Sequence, residues 1–221
     1  MGFYSTHIAP HVLDAVCSFR SLTAQRQRIV PAAHGTVVEI GIGTGLNLVH
    51  YDPARVERLI GVNPPDGLQR LADRRAGAVG FPVDILAESA EAMSLPDAIA
   101  DTVVVTYTLC SIPDVEAAIA EMRRILKPDG RLLFCEHGRS DDPFVALWQD
   151  RLTPVWRPMA GGCHLNRNPA ELLVAGGFTL DRHEAFTPKG VPSLVGFHHL
   201  GSACPTPLHP HGLGAAVVRR P

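Results

Sequence analysis

The stretch Val37-Val38-Glu39-Ile40-Gly41-Ile42-Gly43-Thr44-Gly45-Leu46-Asn47 constrains the fold more than any other part of this 221-residue chain. A run of Val and Ile that ends in closely spaced glycines reads as a buried strand turning sharply toward a helix, with backbone that can lie close to a ligand. An acid, Glu39, stands at the strand end. The N-terminus of a helix opening around Gly45 to Asn47 offers free N–H groups to an anionic ligand group. The glycine spacing separates two kinds of nucleotide site. The dinucleotide fingerprint G-x-G-x-x-G/A puts its third small residue at position 46, where this chain has Leu46, and the third glycine comes one place earlier, at Gly45. The pattern is therefore E-x-G-x-G-x-G.

The chain is long enough for one domain with a proper core. Its apolar fraction of 46% and charged fraction of 19% are ordinary for a globular protein, and a net charge of −2 provides no basic surface for nucleic acid. No stretch approaches the roughly 18 apolar residues that span a bilayer, and no secretory leader pattern opens the chain. A soluble, cytoplasmic protein is expected. The five cysteines, Cys17, Cys110, Cys135, Cys163 and Cys204, are odd in number, widely separated and never in a C-x-x-C pair. Neither a disulfide framework nor a metal centre is expected from them, and the 11 histidines show no H-E-x-x-H spacing.

An amphipathic helix is read from about 7 to 27, with Val12, Val16 and Phe19 on one stripe and His7, His11, Asp14 and Ser18 on another. The strand at 37–41 follows, then a helix at 45–50, a strand at 58–62, a helix at 67–75 and a strand at 79–85 that tolerates Pro82 only on a sheet edge. Asp101–Thr108 is β-branched and nearly uncharged, as suits a central parallel strand. Asp114 caps a helix through Leu126, closed by a turn at Lys127-Pro128-Asp129-Gly130. A strand at 131–136, a helical or irregular segment carrying Trp148 and Trp156, a helix at 169–175 stopped by Gly176-Gly177, and strands at 178–185 and 196–201 complete the pass. This alternation implies an α/β fold, doubly wound and Rossmann-like, with a seven-stranded, mostly parallel sheet and an antiparallel last strand.

From Val37 to Gly201 the order of motifs resembles a class I S-adenosylmethionine-dependent methyltransferase. The runs Tyr107-Thr108-Leu109-Cys110-Ser111, Cys135-Glu136-His137, Trp148-Gln149 and Gly162-Cys163-His164-Leu165-Asn166-Arg167 are similar to the thiol S-methyltransferase family known as methyltransferase-like protein seven. Mammalian members of that family carry an N-terminal membrane anchor; this chain reads as a soluble, bacterial-type relative. The implied division is an N-terminal helical cap at 1–30, the methyltransferase domain at 31–203 and a Pro/Gly-rich tail at 204–221.

The resemblance implies S-adenosylmethionine as cofactor. It makes Glu39, Gly41, Gly43, Gly45 and Asn47 the methionine-side contacts, Ser89 and Ala90 the adenine frame, and Tyr107 part of the cleft. Asn63 takes the place where the family usually has an acid on both ribose hydroxyls; its carboxamide oxygen still accepts a bond but without charge assistance. The acceptor side is assigned to Tyr4, His7, Thr108, Cys110, Trp148, His164 and Arg167. His11, oriented by Asp14 one turn away, and His137 are the candidate bases, because an imidazole with a pKa near 6.5 suits a thiol proton. For each histidine an ordinary surface or structural role competes. The implied reaction is methylation of a small thiol such as hydrogen sulfide or methanethiol, giving methanethiol or dimethyl sulfide. Competing readings are an N- or O-methyltransferase of a small metabolite or phospholipid head group, and a SAM-binding protein without catalysis. Oligomeric state is not readable from the sequence.

Overall fold

The computed structural model describes residues 17–65 and 68–207. Tyr4, His7, His11 and Asp14 lie outside the described residues. Seven strands form one sheet: Gly35–Ile40 (β1), Val56–Val62 (β2), Val83–Leu86 (β3), Ala100–Thr106 (β4), Leu126–His137 (β5), Phe178–Phe186 (β6) and His198–Pro205 (β7). Their spatial order is β3-β2-β1-β4-β5-β7-β6, parallel except that β7 runs antiparallel to both its neighbours. The helices are Arg20–Ile29 (α1), Gln69–Ala76 (α2), Val115–Ile125 (α3), Pro143–Met159 (α4), Pro169–Ala175 (α5) and the single turn Ser193–Gly196 (α6). Among the described residues no helix is long and apolar enough to cross a membrane.

The two faces of the central strands explain their composition. Val38, Ile40, Val103 and Val105 pack on one face with Phe134 and with Ile119 and Met122 of α3, while Val37, Val104 and Leu133 pack on the other with Leu59 and Leu48. Alternate side chains must all be apolar when both faces are covered. In α3 the buried residues Val115, Ala118, Ile119, Met122 and Ile125 follow helical spacing, and Asp114 caps the first turn by accepting from the Ala117 N–H at 3.0 Å. Pro82 stands just before β3, an edge strand, where its missing N–H costs no ladder bond.

Several boundaries differ from the sequence reading: among the described residues the first helix runs Arg20–Ile29, the strand expected at 101–108 ends at Thr106, and the last strand begins at His198 after the turn Ser193–Gly196. No α-helix forms at 45–50: Gly45 turns back onto the Ile42 carbonyl, and only a 3₁₀ turn, Leu48–His50, follows. Gly45, Asn47 and Val49 are weak helix formers, and Pro53 disfavours helical backbone at Asp52. The third strand begins at Val83 rather than Val79. Lys127–Gly130 belongs to β5 as an irregularity in its pairing, since Ala100 faces Leu126 but Thr102 faces Arg131. Cys204 and Pro205, expected in the coil of the tail, pair with Thr179 and Phe178 as the end of β7.

Candidate active site

The carboxyl ends of β1, β2 and β4 open onto a cleft of about 400 Å³. Such crevices are where open α/β sheets take their ligands. Glu39, the penultimate residue of β1, forms its floor and is 1% exposed. Tyr51 donates its hydroxyl to Glu39 Oε2 at 2.7 Å, and Asn47 Nδ2 donates to Oε1 at 3.0 Å and to Thr106 Oγ1 at 3.0 Å. Burial pushes the Glu39 carboxyl up to about 7, against the lowering effect of those two bonds and of Arg26. Asn47 Oδ1 is buried and unpartnered, an acceptor left for something in the cleft.

The three glycines of the turn divide their work. Gly41, at φ +72°, lies so close to the next strand that a Cβ there would sit 2.3 Å from the Thr108 side chain. Gly43, at φ +54°, borders the cleft and donates its N–H to Asn63 Oδ1 at 3.2 Å. Gly45 does not line the cleft; a Cβ there would press on Leu48 and Ala72, so its role is packing. Asn63 also donates to the Pro64 carbonyl at 2.9 Å, so the side chain expected to hold ribose braces the glycine turn. Ser89, Ala90 and Glu91 form the opposite wall, with the Ser89 hydroxyl bonded to Glu91.

Tyr107 and Thr108 line the cleft as expected. Tyr107 adopts φ +54°, rare for a residue with a side chain. Its hydroxyl accepts from the Cys135 thiol at 3.4 Å and meets His198 Nε2 at 3.1 Å. The His198 Nδ1 faces the Gly196 carbonyl, and burial holds the ring down to about 4, so a neutral imidazole accepts the tyrosine proton.

Arg26, on α1, was not singled out by its sequence context. Its guanidinium is buried, lines the cleft, lies 4.8 Å above the Tyr107 ring centre and donates to the Cys17 carbonyl at 2.7 Å. Its Nε has no partner among the described residues. The double arginine pattern near the end of α1 carries no signal that one of the two turns inward. Tyr51 and Thr106 were also missed, because their roles depend on Glu39 and Asn47 meeting them across the fold.

Other expected acceptor-side residues stand elsewhere. Trp148 is 41% exposed on α4, against Phe144 and Arg151 and away from the cleft. Helix α4 turns its buried residues Gln149 and Thr153 inward instead, and Gln149 bonds the Ser140 N–H and the Gly138 and Leu194 carbonyls. Arg167 donates to the carbonyls of Leu109 and Ile112 at 2.7 Å each, and His164 Nδ1 meets the Cys110 carbonyl at 2.9 Å; both fasten the loop after β4. Cys110 and His137 do not line the cleft, although Thr108 and Ser111, chain neighbours of Cys110, do. Cys163 Sγ meets His137 Nε2 at 3.1 Å. Hydrogen bonds from Cys110 and His137 hold the Cys163 thiol well below the ordinary cysteine range. The expectation that the cysteines are scattered is thus corrected for two of the five, which three separate loops bring together with a histidine.

Comparison with known proteins agrees with this geometry. The family model for a methyltransferase domain matches residues 38–134. The thiol S-methyltransferase TMT1B of Rattus norvegicus is 32% identical over 172 residues, which cover 76% of this chain and 70% of the relative. The human TMT1B is 30% identical over 173 residues, covering 76% and 69%. The human thiol S-methyltransferase TMT1A is 29% identical over 153 residues, 62% of its length. A putative methyltransferase solved with the Haloferax volcanii Trm112 activator shares the fold, with a TM-score of 0.69 at 14% identity over 92% of this chain and 96% of that one. A methyltransferase from Thermotoga maritima, described as a possible histamine N-methyltransferase, superposes with a TM-score of 0.62 at 21% identity over 90% and 99%. The cleft fits the cofactor these proteins share: glycine backbone for close approach, a buried acid for an ammonium, and an unpartnered amide oxygen beside it. The chain belongs to the class I S-adenosylmethionine-dependent methyltransferases, and within them it resembles the thiol S-methyltransferase family.

Proposed function

We propose that this methyltransferase acts on a small thiol, with hydrogen sulfide and methanethiol as the leading acceptors. The observation that carries the reading is the 32% identity with a thiol S-methyltransferase across 76% of the chain. Size supports it: about 400 Å³ lies at the low end of ordinary ligand pockets, roughly 300–1,000 Å³, and the cofactor must share that volume with the acceptor. The cleft wall beyond the cofactor, Thr108, Ser111, Ile112 and Pro113, carries no charged side chain to select an ionic acceptor.

The cofactor supplies an electrophilic methyl group on a sulfonium. The chain's contribution is to hold the two sulfur atoms and the methyl carbon in line and to exclude water. Glu39 receives the cofactor's ammonium. Its carboxylate faces Arg26, and with no helix starting at Gly45 the guanidinium of Arg26 is the group that receives the methionyl carboxylate. An Arg26→Met variant keeps an apolar stem over Tyr107 and loses the charge. Its S-adenosylmethionine affinity is expected to fall roughly 10–100-fold, the value of a charge-assisted bond, while kcat at saturating cofactor changes little. Calorimetry checks this, and unchanged affinity removes Arg26 from the site.

The acceptor reading is tested by headspace gas chromatography of purified protein with S-adenosylmethionine and, separately, sulfide, methanethiol and a larger thiol. Enzyme-dependent methylated sulfur gas is the expected result. Cofactor binding with no thiol methylated, and turnover of an amine or hydroxyl acceptor instead, overturns it.

A further inference from the structure

Three elements converge on a second cluster outside the cleft lining. Cys110 lies on the loop after β4, His137 ends β5, and Cys163 follows the Gly161-Gly162 turn after α4. The two sulfur atoms and a ring nitrogen of His137 all lie within 4.8 Å of one another, with Cys163 Sγ and His137 Nε2 at 3.1 Å. Tetrahedral zinc, with bonds of about 2.3 Å to sulfur and 2.0–2.1 Å to nitrogen, sets its donors roughly 3.5–3.8 Å apart. The cluster brackets that spacing.

The backbones that carry the three donors are fixed. Arg167 ties down the carbonyls of Leu109 and Ile112 on either side of Cys110. The His164 N–H donates to the Cys110 carbonyl at 2.8 Å, joining the two cysteine loops. Gly162, at φ +91°, allows the turn that delivers Cys163. A second, independent observation is Glu136. Its side chain is fully buried, its Oε1 accepts from the Thr108 and Leu109 N–H groups at 2.8 and 3.2 Å, and its Oε2 has no partner among the described residues. It directly precedes His137 in β5. A buried carboxylate with an orphan oxygen beside two thiols and an imidazole is costly with protein partners alone, and a cation offsets it.

We propose that Cys110, His137 and Cys163 bind a thiophilic divalent cation of the zinc type, whose open fourth position takes the acceptor thiol as its thiolate. Three protein donors with one position open is the arrangement of catalytic rather than structural zinc. Thr108 and Ser111, within two residues of Cys110, and Gly161, two residues before Cys163, line the cleft, and the open position is assigned to that side. The proposal rests on the thiol reading above for its substrate, and on the side-chain cluster for its metal. On coordination the acceptor's S–H bond breaks and the proton leaves to solvent. The thiolate lone pair then forms the new S–C bond to the methyl carbon. The sulfonium S–C bond breaks with its electron pair kept on the cofactor sulfur, yielding S-adenosylhomocysteine and the S-methylated acceptor, methanethiol from sulfide or a thioether from methanethiol, with no change of oxidation state at the metal. His137 is then a ligand rather than the base expected from sequence.

The test uses the full chain, stripped with chelator under reducing conditions and titrated with Co²⁺ alone. The expected result is one cobalt per chain with thiolate-to-metal charge-transfer absorption, displaced by one equivalent of Zn²⁺. Cys110→Ser, Cys163→Ser and His137→Ala are each expected to lower metal affinity at least tenfold, whereas Cys204→Ser leaves it unchanged. Calorimetric S-adenosylmethionine binding by each variant shows that it is folded. Thiol turnover by the wild type is expected to fall at least tenfold on stripping and to return with Zn²⁺. Absent charge transfer, or thiol methylation indifferent to chelation, overturns the proposal and leaves the thiol reading standing. Metal bound at these residues with no thiol methylated overturns the thiol reading and the substrate half of the proposal, and supports the metal site. Loss of two free thiols to a Cys110–Cys163 disulfide in air, with no metal bound after reduction, overturns it in favour of a redox pair.

Discussion

Replacing Glu39 by Gln is expected to weaken S-adenosylmethionine binding by about two orders of magnitude, and to abolish the fall in affinity below pH 7. In the cofactor-free protein burial holds this carboxyl up to about 7. An incoming ammonium needs the ionised form, so affinity in the wild type falls close to tenfold for each pH unit below 7. Between pH 8 and pH 5.5 the loss is on the order of 30-fold. Above about 8 the cofactor's own α-amino group begins to lose its proton, so the optimum is a plateau between the two. The sign for stability is opposite. A carboxyl raised from 4.5 in the unfolded chain to about 7 in the folded one contributes stability below pH 4.5 that is lost as pH rises through 7. At pH 8 the cofactor-free Glu39→Gln protein should therefore be more stable than wild type, by up to about 3 kcal/mol less the cost of unpairing Asn47. Calorimetry and thermal unfolding across this range provide both readouts. A flat wild-type affinity profile, or a Gln variant that binds normally, sinks the assignment.

Gly41→Ala is expected to cost about 3–5 kcal/mol, since it adds left-handed strain to a steric collision. Its φ of +72° disfavours any side chain, and the new Cβ would meet both Thr108 Oγ1 and Cγ2 at 2.3 Å. Thr108 has little freedom to withdraw. Its N–H is bonded to Glu136 at 2.8 Å and its hydroxyl to the Thr106 carbonyl at 3.0 Å. For a chain of this size the loss corresponds to a fall in Tm of about 10 °C or more. Adding Thr108→Ala should restore the steric part and leave the backbone part, so the two substitutions couple favourably in a double-mutant cycle. A single variant that melts within about 2 °C of wild type shows that the turn can open without harm.

Much of this was legible in the chain because it depends on near neighbours. Asp114 before an apolar 3.6-residue pattern, Gly176-Gly177 after Ala175 and the nearly uncharged run 101–108 each specify an element by local chemistry, and each element forms there, the strand ending at Thr106, two residues early, and the Asp114 helix at Ile125, one residue early. The glycine turn with Glu39 was legible for the same reason. What failed was of two kinds. At 45–50 a short segment holding Gly45, Asn47 and Val49 before Pro53 reads as a helix but forms only a 3₁₀ turn. At Trp148 the sequence leaves a helical or irregular segment, and the face that the helix buries depends on Gln149 finding partners across the fold. The Cys110, His137 and Cys163 group was illegible because its members are 26 and 27 residues apart, on three different elements, and no periodicity links them.

The position of β7 bears on how the chain is made. It is the last strand in sequence among the described residues, yet it lies between β5 and β6 and is bonded on both sides. On the ribosome β5 therefore emerges with no partner on one edge, and its proper neighbour arrives only about sixty residues later, several seconds at roughly 5–20 residues per second. Over that interval Leu132, Phe134 and Cys135 border an open strand edge, the kind of surface that other nascent chains or β6 itself can capture. A polypeptide halted just short of His198 would carry most of its hydrophobic core and still be a hazard to its neighbours, so quality control during synthesis has the final strand as its natural checkpoint.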